Sequence, residues 1–157
     1  VYVLAPDADQ IWRYVPQGDA YPQPPEPYFA EAPPVSLATG LDMAIDGNVY
    51  VLFEGGQILK FHSGQLAPFE VRGLPDGLEG AVALVADPRG EGDFLYVADR
   101  GGSRCRGRVV ALASDGQFRH QLCAEGAFDD LEALAFDLPA GRLFVVSRGR
   151  LYVARLP

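Results

Sequence analysis

The sequence predicts an all-β protein: an open arc of about three and a half four-stranded antiparallel β-propeller blades, part of a larger, six-bladed ring. Three observations predict it. Short apolar runs are punctuated by glycine-containing turns, a run ending in aspartate returns every 40 to 50 residues, and the middle runs are apolar on both faces.

The first runs are "LDMAID" (41–46), "AVALVAD" (81–87) and "LEALAFD" (131–137), spaced 41 and 50 residues apart at Asp46, Asp87 and Asp137. Second runs follow as "NVYVLFE" (48–54), "DFLYVAD" (93–99) and "RLFVVS" (142–147). Third runs are "QILKF" (57–61), "RVVAL" (108–112) and "RLYVARL" (150–156). A fourth run occurs twice, as "QLAPFEV" (65–71) and "QFRHQLC" (117–123). Asp46-Gly47 and Asp115-Gly116 supply the positive-φ residues that tight hairpins favour. In the second run of the first full repeat, Val49, Val51 and Phe53 face one side and Tyr50 and Leu52 the other. A strand covered on both sides by neighbouring sheets reads this way, whereas a sandwich strand keeps one polar face.

The boundaries follow: a partial blade with a Pro-rich loop at 1–34, blades at 35–74 and 75–126, and a partial C-terminal blade at 127–157. The opening "VYVLAPDADQIWRYVP" reads as strands two and three of a blade without its first strand. The last blade lacks its outer strand, so the remaining blades are expected upstream in the same polypeptide, with Pro157 as the natural end. Residues 18–34 hold six prolines in 17 positions, which excludes a central strand. The stretch reads as a stiff surface loop holding a poor outer strand, "PYFAEA", or as a polyproline ligand.

Composition narrows the function. The 157 residues are 48% hydrophobic, with 18 Gly, 13 Pro and a net charge of −8. No basic cluster exceeds "RCRGR" (104–108), which argues against nucleic acid, because neutralising phosphates needs a positive face. The longest fully apolar run, "AVALVA", is too short for membrane insertion by this segment.

The pattern of a Gly turn, "[IL]-[YF]-V" and a following "Gly-[QR]-[IVL]" resembles NHL-type and SMP-30/gluconolactonase-like propellers over nearly the whole chain. "LDMAIDGNVYVLFEGGQILKF" and "LYVARLP" look like the C-terminal propeller of large bacterial multidomain proteins of unassigned function. The resemblance implies a propeller that hosts either chemistry or pure binding.

Strand-one starts and strand-two ends share one mouth of such a ring. The starts carry Asp42, Glu79 and Glu132; the turns after strand two carry Glu54, Arg100 and Arg148. These six residues are the candidate ligand-binding set for a protein or small-molecule partner, with no cofactor; the plainer reading is solvated loop charges and local ion pairs. In the alternative, "LEG" at 78–80 resembles the Glu-Gly start of the metal-binding blade in SMP-30-like lactonases, making Glu79 a ligand to a divalent cation such as calcium. That alternative, a metal-dependent hydrolase of the SMP-30/lactonase kind, also requires an Asn and an Asp from other blades; the single Asn, Asn48, sits at the opposite mouth, so its other ligands are expected in the missing blades. His62 and His120 fall in different blades, and Trp12 on a third strand reads as packing between blades. A hairpin turning at Asp115-Gly116 sets Cys123 opposite Arg108, within reach of Cys105, so either a disulfide or two free thiols fits. A bridge favours an extracytoplasmic location.

Overall fold

The computed structural model describes residues 1–21, 24–87, 95–137 and 140–155. The "PRGEG" turn, the first two residues of "DFLYVAD", part of the "LPAG" turn, residue 156 and Pro157 lie outside the described residues.

Fourteen described strands form four antiparallel sheets, each following chain order. The first holds β1 (Tyr2–Ala5), β2 (Gln10–Arg13) and β3 (Glu26–Pro27). The second holds β4 (Gly40–Ile45), β5 (Val49–Phe53), β6 (Ile58–His62) and β7 (Gln65–Ala67). The third holds β8 (Ala81–Ala86), β9 (Leu95–Asp99), β10 (Arg108–Leu112) and β11 (Phe118–Cys123). The fourth holds β12 (Leu131–Asp137), β13 (Arg142–Ser147) and β14 (Arg150–Arg155).

The sheets succeed one another with their first strands side by side, β4 on β8 and β8 on β12, while β1 touches β4. A 3-10 turn follows β1 (Pro6–Ala8) just as one follows β5 (Glu54–Gly56), so β1 takes the place of a second strand. The first sheet thus holds strands two to four of a unit, and the fourth sheet strands one to three.

The core lies in three seams between the sheets. Ile11, Val49, Val51 and Phe61 fill the first seam; Tyr50, Leu52, Leu84, Val97 and Leu112 the second; Tyr96, Val109, Leu131 and Val145 the third. The alternation along β5 is the expected one: Val49 and Val51 enter one seam, Tyr50 and Leu52 the next, and all five of its residues are buried. Each buried aliphatic side chain contributes about 1.5–3 kcal/mol relative to exposure, so the middle strands draw stability from both neighbours.

Two outer strands differ from expectation, one at a proline and one at a core aromatic. The run 65–71 is strand only at Gln65–Ala67, because Pro68 has no N–H to continue the ladder. The chain then turns across the second seam, packing Phe69, Val71 and Leu74 against it and pairing Arg72 with Gln117 of the next sheet. "PYFAEA" is not an outer strand. β3 ends at Pro27, Tyr28 N donates to Ile11 O at 2.8 Å, and Phe29 turns into the first seam edge-to-face with Phe61. Burying Phe29 outweighs two more ladder bonds on a solvent edge.

The first and last sheets turn apolar side chains outward: Val3 is 43% exposed, Leu151 64% and Val153 51%. A contrast between seam and outer face tests the packing. Leu112→Ala is expected to lower stability by about 2–5 kcal/mol in urea titration, and Leu151→Ala to stay within about 0.5 kcal/mol of wild type.

Candidate functional site

The repeat sets the geometry of one mouth. Each first strand carries a register shift at the same place, between Gly40 and Asp42, Ala81 and Ala83, and Leu131 and Ala133. In each unit the residue after strand two donates its N–H to the residue before strand one: Glu54 to Thr39 O, Arg100 to Gly80 O and Arg148 to Asp130 O. Glu54, Arg100 and Arg148 are therefore equivalent positions at one mouth. The acidic residues are not. Glu132 occupies the bulge position shared with Leu41 and Val82, Asp42 lies one residue further in, and Glu79 precedes β8 by two residues, equivalent to Ala38 and Asp129.

Their surroundings differ accordingly. Glu54 and Glu79 are exposed. Arg100 Nε donates to Leu131 O at 2.7 Å and lies 3.1 Å from an Asp130 carboxylate oxygen, tying the third sheet to the start of the fourth. Arg148, with φ of 50°, pairs with Asp129 at 3.3 Å, and Glu132 accepts from Gly149 N at 2.8 Å. Asp42 points into the second seam, where one carboxylate oxygen accepts from Leu84 N at 2.7 Å and the other from Met43 N at 2.8 Å. Burial pushes its carboxyl above the ordinary carboxylate range, with those two N–H donors pulling against the shift.

The most heavily bonded charge at this mouth is one that sequence reasoning passed over. Arg108, at the start of β10, is 1% exposed, and Asp99 facing it at the end of β9 is 0% exposed. Arg108 Nε lies 2.8 Å from Asp99 Oδ2; Nη2 reaches Gly77 O at 2.6 Å; Nη1 reaches Gln121 Oε1 at 3.3 Å and Asp76 Oδ2 at 3.4 Å. Asp99 Oδ1 also accepts from Gly101 N at 3.0 Å. The guanidinium is buried because every face of it meets an acceptor. An aspartate closing one apolar run and an arginine opening the next, across a hairpin, were the signals for the pair. The Asp76 carboxyl is held below its usual range, first by the Ser103 N–H and hydroxyl and then by Arg108 and Arg104.

Cys105 and Cys123 are joined in a disulfide with Cα atoms 6.0 Å apart, beside the Arg108–Cys123 register pair. Gln121 Nε2 stands 3.6–3.7 Å from both sulfurs, so the bridge and the buried arginine share a neighbour. Outside the bridge a pocket of about 730 Å³ opens toward Asp129. His62 Nδ1 lies 3.0 Å from Asn48 Oδ1 beside the β4–β5 turn, at the other mouth. Among the described residues no three His, Cys, Asp or Glu side chains converge to hold a metal ion.

No family model matches the chain, and no curated protein matches it. Among solved structures it is similar to a gluconolactonase from Xanthomonas campestris, with 21% identity and a TM-score of 0.59 over 94% of this chain. The chain spans 44% of that structure. Its fold is a β-propeller. The four sheets are successive propeller blades, and the seams are the blade interfaces.

Two measurements test the charges of this propeller. Arg108→Ala strands the Asp99 carboxylate in the interior and should cost about 3–5 kcal/mol, whereas the double change Arg108→Leu with Asp99→Val should recover most of that loss in the same urea titration. The two shifted aspartates carry opposite pH signatures. Asp42 holds its proton more tightly folded than unfolded, so its contribution is full below about pH 3.8 and is lost as pH rises through the raised value. Asp76 contributes above about pH 3.8 and loses that contribution as pH falls through its depressed value. As pH rises above about 3.8, wild type should therefore lose stability relative to Asp42→Asn, and as pH falls below about 3.8 it should lose stability relative to Asp76→Asn.

Proposed function

We propose that this chain is a non-catalytic propeller scaffold within a larger bacterial protein, binding a protein or small-molecule partner at the mouth that carries Glu54, Glu79, Arg100, Glu132 and Arg148. The reading is supported by the repeated placement of one charged residue after β5, β9 and β13, which gathers Glu54, Arg100 and Arg148 at one end of three successive blades. Asp42 belongs to the scaffold side of this division, since both carboxylate oxygens are engaged by backbone N–H groups. Further blades of the same polypeptide cover the outward faces bearing Val3, Leu151 and Val153, and the Cys105–Cys123 bridge supports an extracytoplasmic location. No cofactor enters this reading.

A second reading, lactone hydrolysis assisted by a divalent cation at Glu79, is favoured by the likeness of the fold to a gluconolactonase. The two separate cleanly. Under the binding reading, gluconolactone is hydrolysed no faster than in buffer, and calcium, zinc or manganese leaves the melting temperature unchanged. Under the second, saturating cation raises it by on the order of 5–10 °C, and Glu79→Gln removes both the shift and the turnover.

A further inference from the structure

The loop between β9 and β10, residues 100–107, is fastened more heavily than any other described loop at this mouth. Cys105 is bridged to Cys123, and Ser103 gives both its N–H and its hydroxyl to Asp76 at 3.0 and 2.8 Å. Gly101 N is held by Asp99, and Arg108 anchors the loop's far end in the interior. Gly107 sits so close to the Phe128 carbonyl that a side chain there would collide with backbone. What this clamp presents are two guanidinium groups. Arg104 and Arg106 are exposed, neither lies within ion-pair distance of a carboxylate among the described residues, and both line the 730 Å³ pocket together with the disulfide. Arg13, Arg72, Arg100, Arg108, Arg142 and Arg148 are all paired with carboxylates, and the exposed Arg119 and Arg150 line neither this pocket nor the one beside Tyr152. Of the two acids in the lining, Asp129 is already neutralised by Arg148, leaving Glu125 against two arginines. The local sign is positive in a chain of net charge −8.

We propose that Arg104 and Arg106 form an oxyanion-binding site for a small molecule bearing a carboxylate or phosphate group, held open by the Cys105–Cys123 bridge. Planar guanidinium forks match both anions, and a pocket of this volume is of the size that holds small ligands. A loop already fixed by covalent and buried bonds loses little further freedom when it binds. The site deepens the binding reading above by naming its ligand class, and it stands apart from that reading in the test: turnover of a lactone would overturn the scaffold, whereas failure to bind anions would overturn only this site.

The experiment titrates the protein with succinate and, separately, with inorganic phosphate by calorimetry and amide chemical shifts, at ionic strength held constant with sodium chloride. Saturable binding of at least one anion is expected, with shifts confined to residues 104–107 and 123–126 and affinity about tenfold weaker or worse in R104A/R106A. The control pair R119A/R150A, which removes equal charge elsewhere, should bind as wild type does. The two anions distinguish a carboxylate from a phosphate ligand, and either result supports the site. No saturation with both, or equal weakening in the control pair, overturns it. Reduction of the disulfide, with the fold checked by circular dichroism, should weaken binding by about threefold or more; unchanged affinity in folded, reduced protein would remove the bridge from the proposal.

Discussion

Burial of both faces of the strands β5, β9 and β10 is the constraint on which this molecule rests. β5, β9 and β10 are each buried along their whole length, and each sends alternate side chains into two different seams. A sheet built this way has no stable life alone, because half its apolar surface belongs to the neighbour on either side. The need to stack is also what places the mouth. Once β4, β8 and β12 must lie side by side, the turns after every second strand arrive at the same end of the molecule.

The repeat continues into the seats between blades. A residue one or two positions before each third strand meets the buried residue three positions before the next blade's first strand: Asp9 accepts from Leu37 N, Gly56 closes on Leu78, and Gly107 closes on Phe128. Leu37, Leu78 and Phe128 are all at most 5% exposed. One geometric task is solved three times with different chemistry. A carboxylate reaches across in the first case; in the other two the absence of a Cβ lets backbone approach backbone.

Much of the architecture was legible in the sequence, because a period-two apolar pattern and a 41- to 50-residue repeat are statements about burial that survive any detail of packing. Strand limits matched closely where turns carried Asp-Gly, as at Gly47 and Gly116, whose φ values of 105° and 88° only glycine accepts readily. Reading failed where a side chain had to choose between ladder and core. Phe29 looked like part of an outer strand and became a core residue, and Phe69 crossed a seam after Pro68 ended its strand. The candidate site was less legible still. Glu54, Arg100 and Arg148 are true equivalents, since the turn after strand two has constant length up to that point. The acidic set sits at different points of equivalent strand starts, Glu79 two residues before β8, Glu132 second in β12 and Asp42 third in β4, so the three landed at different depths. Arg108 escaped notice because charge at a strand start ordinarily means exposure; only the Asp99 opposite it reverses that expectation.

Placement of charge then separates scaffold from surface. A charged group fixed by two or more partners inside the fold has its geometry and its electrostatic potential committed to the blades. Arg108 has four such partners and Asp42 two. Removing any of these disturbs folding before it disturbs recognition, because the interior keeps the unpaired remainder. Glu54, Glu79, Arg104 and Arg106 stand in solvent without such ties, where an ion pair made with an incoming partner costs little desolvation of the protein and leaves the seams intact. Recognition at this mouth therefore falls to the groups that the blades hold in place without using, and the buried charges beneath them supply the rigidity that lets so few exposed side chains act together.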